Sequence, residues 1–267
     1  MRIVLLLFIL IPFFTFSQIN QTDSNGLRQG LWKKQQPNGR LIYEGHFKDG
    51  KPIGEWKRYH EGGQVKAVIN YRADSDSAFT QIFDKFGKKV SEGNYINQKK
   101  EGNWIYLSNK RKIAEEQFKN GMKNGISKKY YNTGELMEEM EYVDGNQEGN
   151  YEVFYKNGQP YMQCKMKQNM RHGLYVVNTD KGRRQMEAAY KNNLRHGDWK
   201  FYSESGELHY LLKYNEGELL NPEVKDSISN LRMQNFEKEK GKIVDPEDFL
   251  TDPTEYMRKL NIKGNNY

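Results

Sequence analysis

Apolar and polar side chains alternate with a period of two residues over stretches of seven or eight residues in most of the chain. In the segment 41–47, Tyr43 and Phe47 fall on one side of an extended chain, and Glu44 and His46 fall on the other. This alternation, bounded by turn residues, is typical of β-strands and not of helices. The pattern predicts a protein built mainly from β-strands.

Glycine recurs along the chain at a spacing of 24 residues. The recurring positions are Gly30, Gly54, Gly102, Gly125, Gly149, Gly173 and Gly197. Ala78 stands at the one expected position that lacks glycine, and the step from Gly102 to Gly125 is one residue short. Self-similarity at a fixed period of this size indicates an array of structural repeats.

Aromatic residues and turn signals recur within each repeat, counted from the opening glycine as position 0. The aromatic residues at position 2 are Trp32, Trp56, Trp104, Tyr151, Tyr175 and Trp199. Those at position 17 are Phe47, Tyr71, Tyr95, Phe118, Tyr142, Tyr190 and Tyr214. Positions 8 and 9 carry pairs such as Asn38-Gly39 and Asn157-Gly158, and position 20 carries a second turn residue such as Gly50. Each repeat therefore predicts one β-hairpin and a connection to the next.

A two-residue turn at positions 8 and 9 would fix the register of every hairpin. Facing residues would then have positions that sum to seventeen, so that Lys33 meets Glu44 and Lys128 meets Glu139. The opening glycine would lie opposite the aromatic residue at position 17, whose ring would cover the glycine backbone. One face of the sheet, carrying positions 2, 15 and 17, is predicted to be apolar, and we call it the apolar face.

The predicted fold class is all-β: an elongated, curved antiparallel sheet of about eight 24-residue hairpins, followed by a short helical C-terminal cap. Residues 18–220 form the predicted array and residues 221–267 the helical tail. Val224, Ile228 and Leu231 follow helical spacing, and helix-start signals occur at Asp245 and Asp252. The tail has two possible roles, covering the exposed edge of the last repeats or docking a partner.

Position 5 supplies the candidate functional residues, a row of large side chains near the hairpin tips. The candidate partner-binding stripe consists of Tyr59, Phe83, Tyr130, Phe154 and Tyr202, with Leu107 at the same position of another repeat. These rings either pack against one another as the sheet coils or form an exposed aromatic surface for a partner.

No motif in the sequence predicts catalysis, cofactor binding or a metal site. A P-loop, a dinucleotide fingerprint, a paired-cysteine zinc site and an HExxH helix are all missing. Equivalent glutamates at position 14 (Glu44, Glu92, Glu115, Glu139 and Glu187) suggest cross-strand ion pairs, because acid–base catalysis needs two carboxylates in different environments. His172 and His196 occupy one repeat position, which favours turn chemistry, and Cys164 stands where other repeats place small hydrophobic residues. The protein is therefore predicted not to be an enzyme and to need no cofactor.

The first seventeen residues predict export. Arg2 precedes an apolar run at 3–16 that is too short for a membrane span, and Thr15 and Ser17 supply small residues for cleavage after Ser17. The expected location is the periplasm, the outer envelope surface or the medium, with no transmembrane span in the mature chain. The 267-residue chain has 42 Lys and Arg against 35 Asp and Glu, a net charge of +7, which admits an anionic surface as a partner. Nucleic acid is not an expected partner.

The columns of the repeat resemble the MORN repeat, and more closely its bacterial variant form. The best stretch runs from Tyr43 to Trp56, and Arg171-His172-Gly173 is similar to the histidine–glycine step of that family. The pattern departs at Ala78, at Ser127 and in the polar stretch 73–77. The resemblance implies an antiparallel array used for scaffolding or protein contact, with membrane attachment proposed for some members. Bacterial members of this family are also labelled as antitoxin-like, so the resemblance implies antitoxin-like activity as well.

Three functions are consistent with these observations. The leading hypothesis is a non-enzymatic binding or scaffold protein of the cell envelope, whose partner is another envelope or exported protein. One alternative is an antitoxin-like protein that neutralises an exported toxin. The other is a glycan-binding or glycan-cleaving envelope protein, suggested by the aromatic and glutamate columns.

Overall fold

The computed structural model describes residues 19–72 and 76–240 of the chain. The predicted signal peptide and the helix starts at Asp245 and Asp252 lie outside these described residues. The chain divides into two compact units. Among the described residues, the first comprises 19–72, 76–170 and 180–182, and the second comprises 171–179 and 183–240.

The first unit is an antiparallel meander in which strands pair with their neighbours in sequence. Its strands are β1 (Gln21–Thr22), β2 (Arg28–Gln35), β3 (Leu41–Lys48), β4 (Lys51–Tyr59), β5 (Val65–Tyr71), β6 (Ser77–Phe83), β7 (Lys89–Ile96), β8 (Lys99–Ser108), β9 (Arg111–Lys119), β10 (Met122–Lys123), β11 (Gly125–Tyr130), β12 (Leu136–Val143), β13 (Asn146–Phe154) and β14 (Pro160–Lys167). The predicted all-β class is confirmed.

The second unit continues the same element order and ends in a helix. Its elements are β15 (Met170–Asn178), β16 (Arg184–Lys191), β17 (Leu194–Tyr202), β18 (Leu208–Asn215), β19 (Glu218–Leu219) and α1 (Pro222–Lys240). A small core of Ala188, Trp199, Leu212 and Tyr214 holds this unit together, and Val224 of α1 packs against it. The helix therefore contacts the sheet through its first turn, whereas Leu231, Met233 and Phe236 are exposed.

The predicted register is confirmed for the part of each hairpin that lies away from its tip. Gly30 pairs with Phe47, and Lys33 pairs with Glu44. Their ammonium and carboxylate groups are 3.0 Å apart, and those of Lys128 and Glu139 are 3.1 Å apart. The prediction that the positions of facing residues sum to seventeen is wrong from position 5 towards the tip. The register shifts by one residue between positions 4 and 5 in each hairpin.

The shift is a one-residue bulge in the second strand of every hairpin, and beyond it most hairpin loops have three residues instead of the predicted two. In the second hairpin, the amide of Gly63 donates to the carbonyl of His60 at 2.8 Å, and the amide of His60 donates to the carbonyl of Gln64. Gly63 has a φ of +90°, as expected for a type I turn followed by a bulge. The repeat that is one residue short has the true two-residue turn, with Asn109 and Lys110 both at positive φ.

Tight two-residue turns instead connect one repeat to the next at positions 19 and 20. Lys48 pairs with Lys51 across Asp49 and Gly50, whose φ values are +49° and +76°. A positive φ at both central residues defines the type I′ turn, whose twist matches that of the flanking strands.

The junction between repeats explains why glycine opens most of them. Three residues of β4, Gly54 to Trp56, lie opposite Gly45 alone, and Gly54 takes a φ of +63° to accommodate this bulge. A Cβ at Gly54 would meet nothing within 4 Å. The prediction that the position-17 ring covers the opening glycine is therefore wrong, since positive φ is what requires glycine there.

The ring that covers a glycine belongs to the tryptophan at position 2. A Cβ at Gly45 would lie 2.1 Å from the indole of Trp56, whose N–H donates to the carbonyl of His46 at 3.0 Å. The same hydrogen bond joins Trp104 to Asn94 at 3.0 Å. The bulge and the indole therefore occur together, and the tryptophan N–H bonds to a carbonyl of the strand that faces the bulge.

The repeats that lack the expected glycine or aromatic residue still form hairpins in the predicted register. Ala78 pairs with Tyr95, and Ser127 pairs with Met140. The β5–β6 junction shows no bulge, and Ile69 pairs directly with Thr80. Ala78 is tolerated because a regular ladder does not need positive φ at this position.

Candidate functional site

The candidate stripe lies where the register shifts, beside the hairpin tips, and we call it the tip row. Its five residues are Tyr59, Phe83, Tyr130, Phe154 and Tyr202, the last of which belongs to the second unit. Each side chain is half-buried. Part of every ring therefore packs against the sheet and part remains in contact with solvent.

Two tyrosines of the tip row bind the glutamate of the preceding repeat. The hydroxyl of Tyr59 donates to Glu44 Oε1 at 2.5 Å, and the hydroxyl of Tyr130 donates to Glu115. Burial and the hydrogen bond to Glu44 raise the pKa of Tyr59 to about 12. These contacts fix the orientation of both rings across repeat junctions.

The backbone of the tip row also joins neighbouring repeats. The carbonyl of Phe83 lies 3.0 Å from Nε2 of His60, and the carbonyl of Phe154 accepts a hydrogen bond from the hydroxyl of Tyr131 at 2.7 Å. In both cases the ring at position 6 bonds to the next repeat. The tip row in the first unit is thereby held by side-chain and main-chain contacts.

Glu44 and Glu92 at position 14 act as ionised acceptors. The hydrogen bond from Tyr59 and the ammonium of Lys33 lower the pKa of Glu44. The ammonium of Lys89 and the side chain of Gln81 lower the pKa of Glu92. A general acid needs a raised pKa, so neither carboxylate is suited to that role.

Histidine and cysteine occupy structural positions. Nδ1 of His172 lies 3.1 Å from Oδ1 of Asn192, and Nδ1 of His196 accepts the amide of Glu216 at 3.4 Å. Both contacts reach the connecting turn, as the turn interpretation predicted. Cys164 is buried. Within 19–72 and 76–240, no three acidic, histidine or cysteine residues cluster as a metal site would require.

Sequence reasoning missed a row of basic residues that lies over the aromatic rings of the apolar face. Each stands two residues before an opening glycine. Lys100 Nζ lies 4.4 Å from the Trp104 ring, and the guanidinium of Arg171 lies 4.2 Å from that of Tyr190. The complete row is Arg28, Lys100, Lys123, Arg171 and Arg195. The recurring basic residue at this position was a signal in the sequence, and such contacts stabilise cations over rings.

No helix in the described part of the chain has both the length and the apolar character needed to cross a membrane.

Comparison with solved structures gives weak likenesses. A mutant of S. aureus TarM, in complex with Fondaparinux, alpha-GlcNAc-glycerol and UDP, is 11% identical, with 49% of this chain and 22% of that chain covered and a TM-score of 0.23. The Photorhabdus luminescens Tc holotoxin pore is 12% identical, with 69% of this chain and 12% of that chain covered and a TM-score of 0.20. This chain thus spans less than a quarter of either protein. These scores are too low to inform fold or function.

Comparison with curated proteins gives no match. The model of the MORN repeat variant matches five segments. They are residues 28–49, 52–73, 123–144, 147–168 and 195–216. Each segment covers both strands of one hairpin and the loop between them. The chain therefore contains five repeats that match the MORN repeat variant, and such repeats indicate a scaffold or binding protein.

Proposed function

We propose that this protein is a non-enzymatic scaffold or binding protein of the cell envelope and that the tip row contacts its partner, another exported or envelope protein. The observation that supports this role is the tip row itself. Half-buried rings recur at one position of successive hairpins, and hydrogen bonds across the junctions hold them in place. Rigid aromatic side chains contribute strongly to protein interfaces because ordering them on binding costs little entropy.

Export is part of the proposal and rests on the leader at 1–17. The chain isolated from cells should begin at Gln18 and should be recovered in the envelope fraction or the medium. Mass spectrometry of the intact protein measures this start directly. A chain that retains Met1 and stays in the cytosol would contradict export but would leave the interaction surface untested.

The interaction surface is tested by affinity capture from envelope extracts. The wild-type protein should recover a partner in fixed stoichiometry, and the double variant Phe83→Ser, Phe154→Ser should lose it. Val143→Ser is the matched control, because Val143 is an exposed apolar residue of the first unit outside the tip row. Circular dichroism verifies that each variant is folded. Equal capture by all three folded proteins would overturn the assignment of this surface.

A further inference from the structure

The apolar face of the first unit contains a concavity of about 520 Å³ over strands β5 to β7. Ala78 and Thr80 of β6 form its floor. Tyr71 of β5 and Tyr95 of β7 both pair with Ala78 and form its two walls. Since the walls stand two strand spacings apart, roughly 10 Å, the concavity is a slot with an aromatic ring on each side.

The slot exists where the repeat pattern is interrupted. Trp56 and Trp104 occupy position 2 in the neighbouring repeats, and Thr80 takes this position here. Thr80 is only 4% exposed. Its hydroxyl has no hydrogen-bond partner among the residues that the structure describes. A buried hydroxyl without a partner carries a desolvation cost that a bound polar group would relieve.

The charge at the two ends of the slot differs. Arg58 lines the end near the hairpin tip, where it pairs with Ala67. Its guanidinium is exposed and forms no ion pair within 19–72 and 76–240. Ile82 is level with Arg58, because both residues pair with Ala67. Asp76 lies at the other end, just before β6 and six residues from Ile82. That separation is roughly 20 Å along an extended strand, so the tip end of the slot presents an available cation.

We propose that this slot binds a small aromatic carboxylate. The ring lies over Ala78 and Thr80 between the two tyrosines, and the carboxylate is held by Arg58. The volume is in the range of small-molecule sites, and offset or edge-to-face contacts with flanking rings favour an aromatic occupant. At the backbone, Arg58 is offset from Thr80 by about 7 Å along the strands and by two strand spacings, roughly 10 Å, across them. The long arginine side chain, together with one or two carbon atoms between ring and carboxylate, can span this separation.

The lining favours this class over a sugar. Ala78, Ile69 and the faces of Tyr71 and Tyr95 are apolar, whereas a sugar presents several hydroxyls that would need partners. Thr80 supplies a single unpartnered hydroxyl within the described residues. Tyr59 of the tip row also lines the concavity, but Phe83 and Phe154, which are changed to test the partner interface, do not. The two proposals are therefore tested separately.

Indole-3-acetate is a suitable probe, and its neutral analogue indole-3-acetamide tests the role of the charge. Titration followed by NMR should give saturable shifts of the Ala78 and Thr80 methyl groups, with tighter binding of the carboxylate. Arg58→Gln should weaken binding of indole-3-acetate roughly tenfold and leave indole-3-acetamide unaffected. Thr80→Val should weaken both probes while keeping the size of the side chain.

Arg40→Gln is the matched control, because Arg40 is an exposed guanidinium that binds the Glu61 carbonyl at a hairpin tip outside the slot. Its affinity for indole-3-acetate should equal that of the wild type. The proposal is overturned if neither probe gives saturable shifts up to its solubility limit. It is also overturned if Arg58→Gln and Arg40→Gln behave alike, or if N-acetylglucosamine binds and indole-3-acetate does not.

Discussion

Gly93 lies directly beneath Trp104, so close that a Cβ added at this glycine would be 2.4 Å from the indole ring. Trp104 has no exposed surface. Its N–H is fixed to the carbonyl of Asn94. Gly93 does not have a positive φ, so the space under the ring is the reason for glycine here.

Gly93→Ala should destabilise the protein by about 1–3 kcal/mol, since the indole can move only by losing its packing and its hydrogen bond. The free energy of unfolding in urea measures the effect. Gly62→Ala is the control, because the atom nearest to its new Cβ is the end of the exposed, flexible Gln64 side chain. A loss of stability as large for Gly62→Ala as for Gly93→Ala would mean that the ring is not what excludes a side chain.

Tyr95→Ala should cost about 2–3 kcal/mol, because its ring packs edge-on against Trp104 with centroids 5.0 Å apart. Glu92→Ala should cost less than about 1 kcal/mol, since its ion pair with Lys89 is partly solvated. The two denaturation midpoints compare the two faces of one strand. Identical midpoints would contradict the assignment of Tyr95 to the apolar face.

Tyr59→Phe should change how stability depends on pH at the alkaline end. The folded pKa of Tyr59 is about 12 against an ordinary value of 10.0. A raised pKa gives stability that is complete below 10.0 and is lost as the pH rises through about 12. The difference in stability between wild type and variant should therefore be constant between pH 4.5, the ordinary pKa of glutamate, and pH 10.0, and shrink above pH 10.0. A difference that stays constant over that range would show that Tyr59 and Glu44 are not coupled.

The same substitution should raise the pKa of Glu44, because the hydrogen bond from Tyr59 is the main cause of its lowering. A lowered carboxylate pKa gives stability that is present above 4.5 and is lost as the pH falls through the folded value. NMR titration of the Glu44 carboxyl measures the change. Glu216 is the control, since its pKa is lowered by Lys191 and should not respond.

Lys110→Gly should stabilise the protein by about 0.5–1 kcal/mol. Lys110 has a φ of +66°, a conformation that costs an L-residue about 1–2 kcal/mol and glycine almost nothing. Lys85→Gly, in the three-residue loop of the preceding hairpin, should be destabilising by a similar amount because Lys85 is not at positive φ. Thermal melting of the two variants should give shifts of opposite sign.

The strands and their pairing could be predicted because period, turns and apolar alternation agree in every repeat. Lys33 faces Glu44 as the repeat positions require. The loop length could not be read from Asn38-Gly39, since the same two residues suit a two-residue turn and the end of a three-residue loop. The bulge between positions 4 and 5 was not predicted either, and it occurs in the hairpin with a two-residue turn as well.

The junctions were less accessible to sequence reasoning. The repeat pattern predicted that an aromatic ring covers the glycine at position 0. The positive φ of this glycine instead follows from a bulge, which is visible only in the structure, where three residues of β4 lie opposite Gly45. The tip row was identified correctly as a set of equivalent positions. Its bonds to Glu44 and Glu115 join different repeats, and a pattern read within one repeat does not show them.

Side chains at the junctions match in size across repeats: Gly45 accommodates Trp56, Ile69 faces Thr80, and Gly93 accommodates Trp104. Removal of one 24-residue segment would bring Ile69 against Trp104 or leave Gly45 facing Thr80. Gly45 and Gly93 are 48 residues apart in the numbering, so excision of residues 46–93 would restore a glycine–tryptophan contact. Between Gly45 and Trp104 the array can thus be shortened or lengthened in steps of two hairpins, and in this part of the chain the pair of hairpins is the natural unit for duplication or redesign.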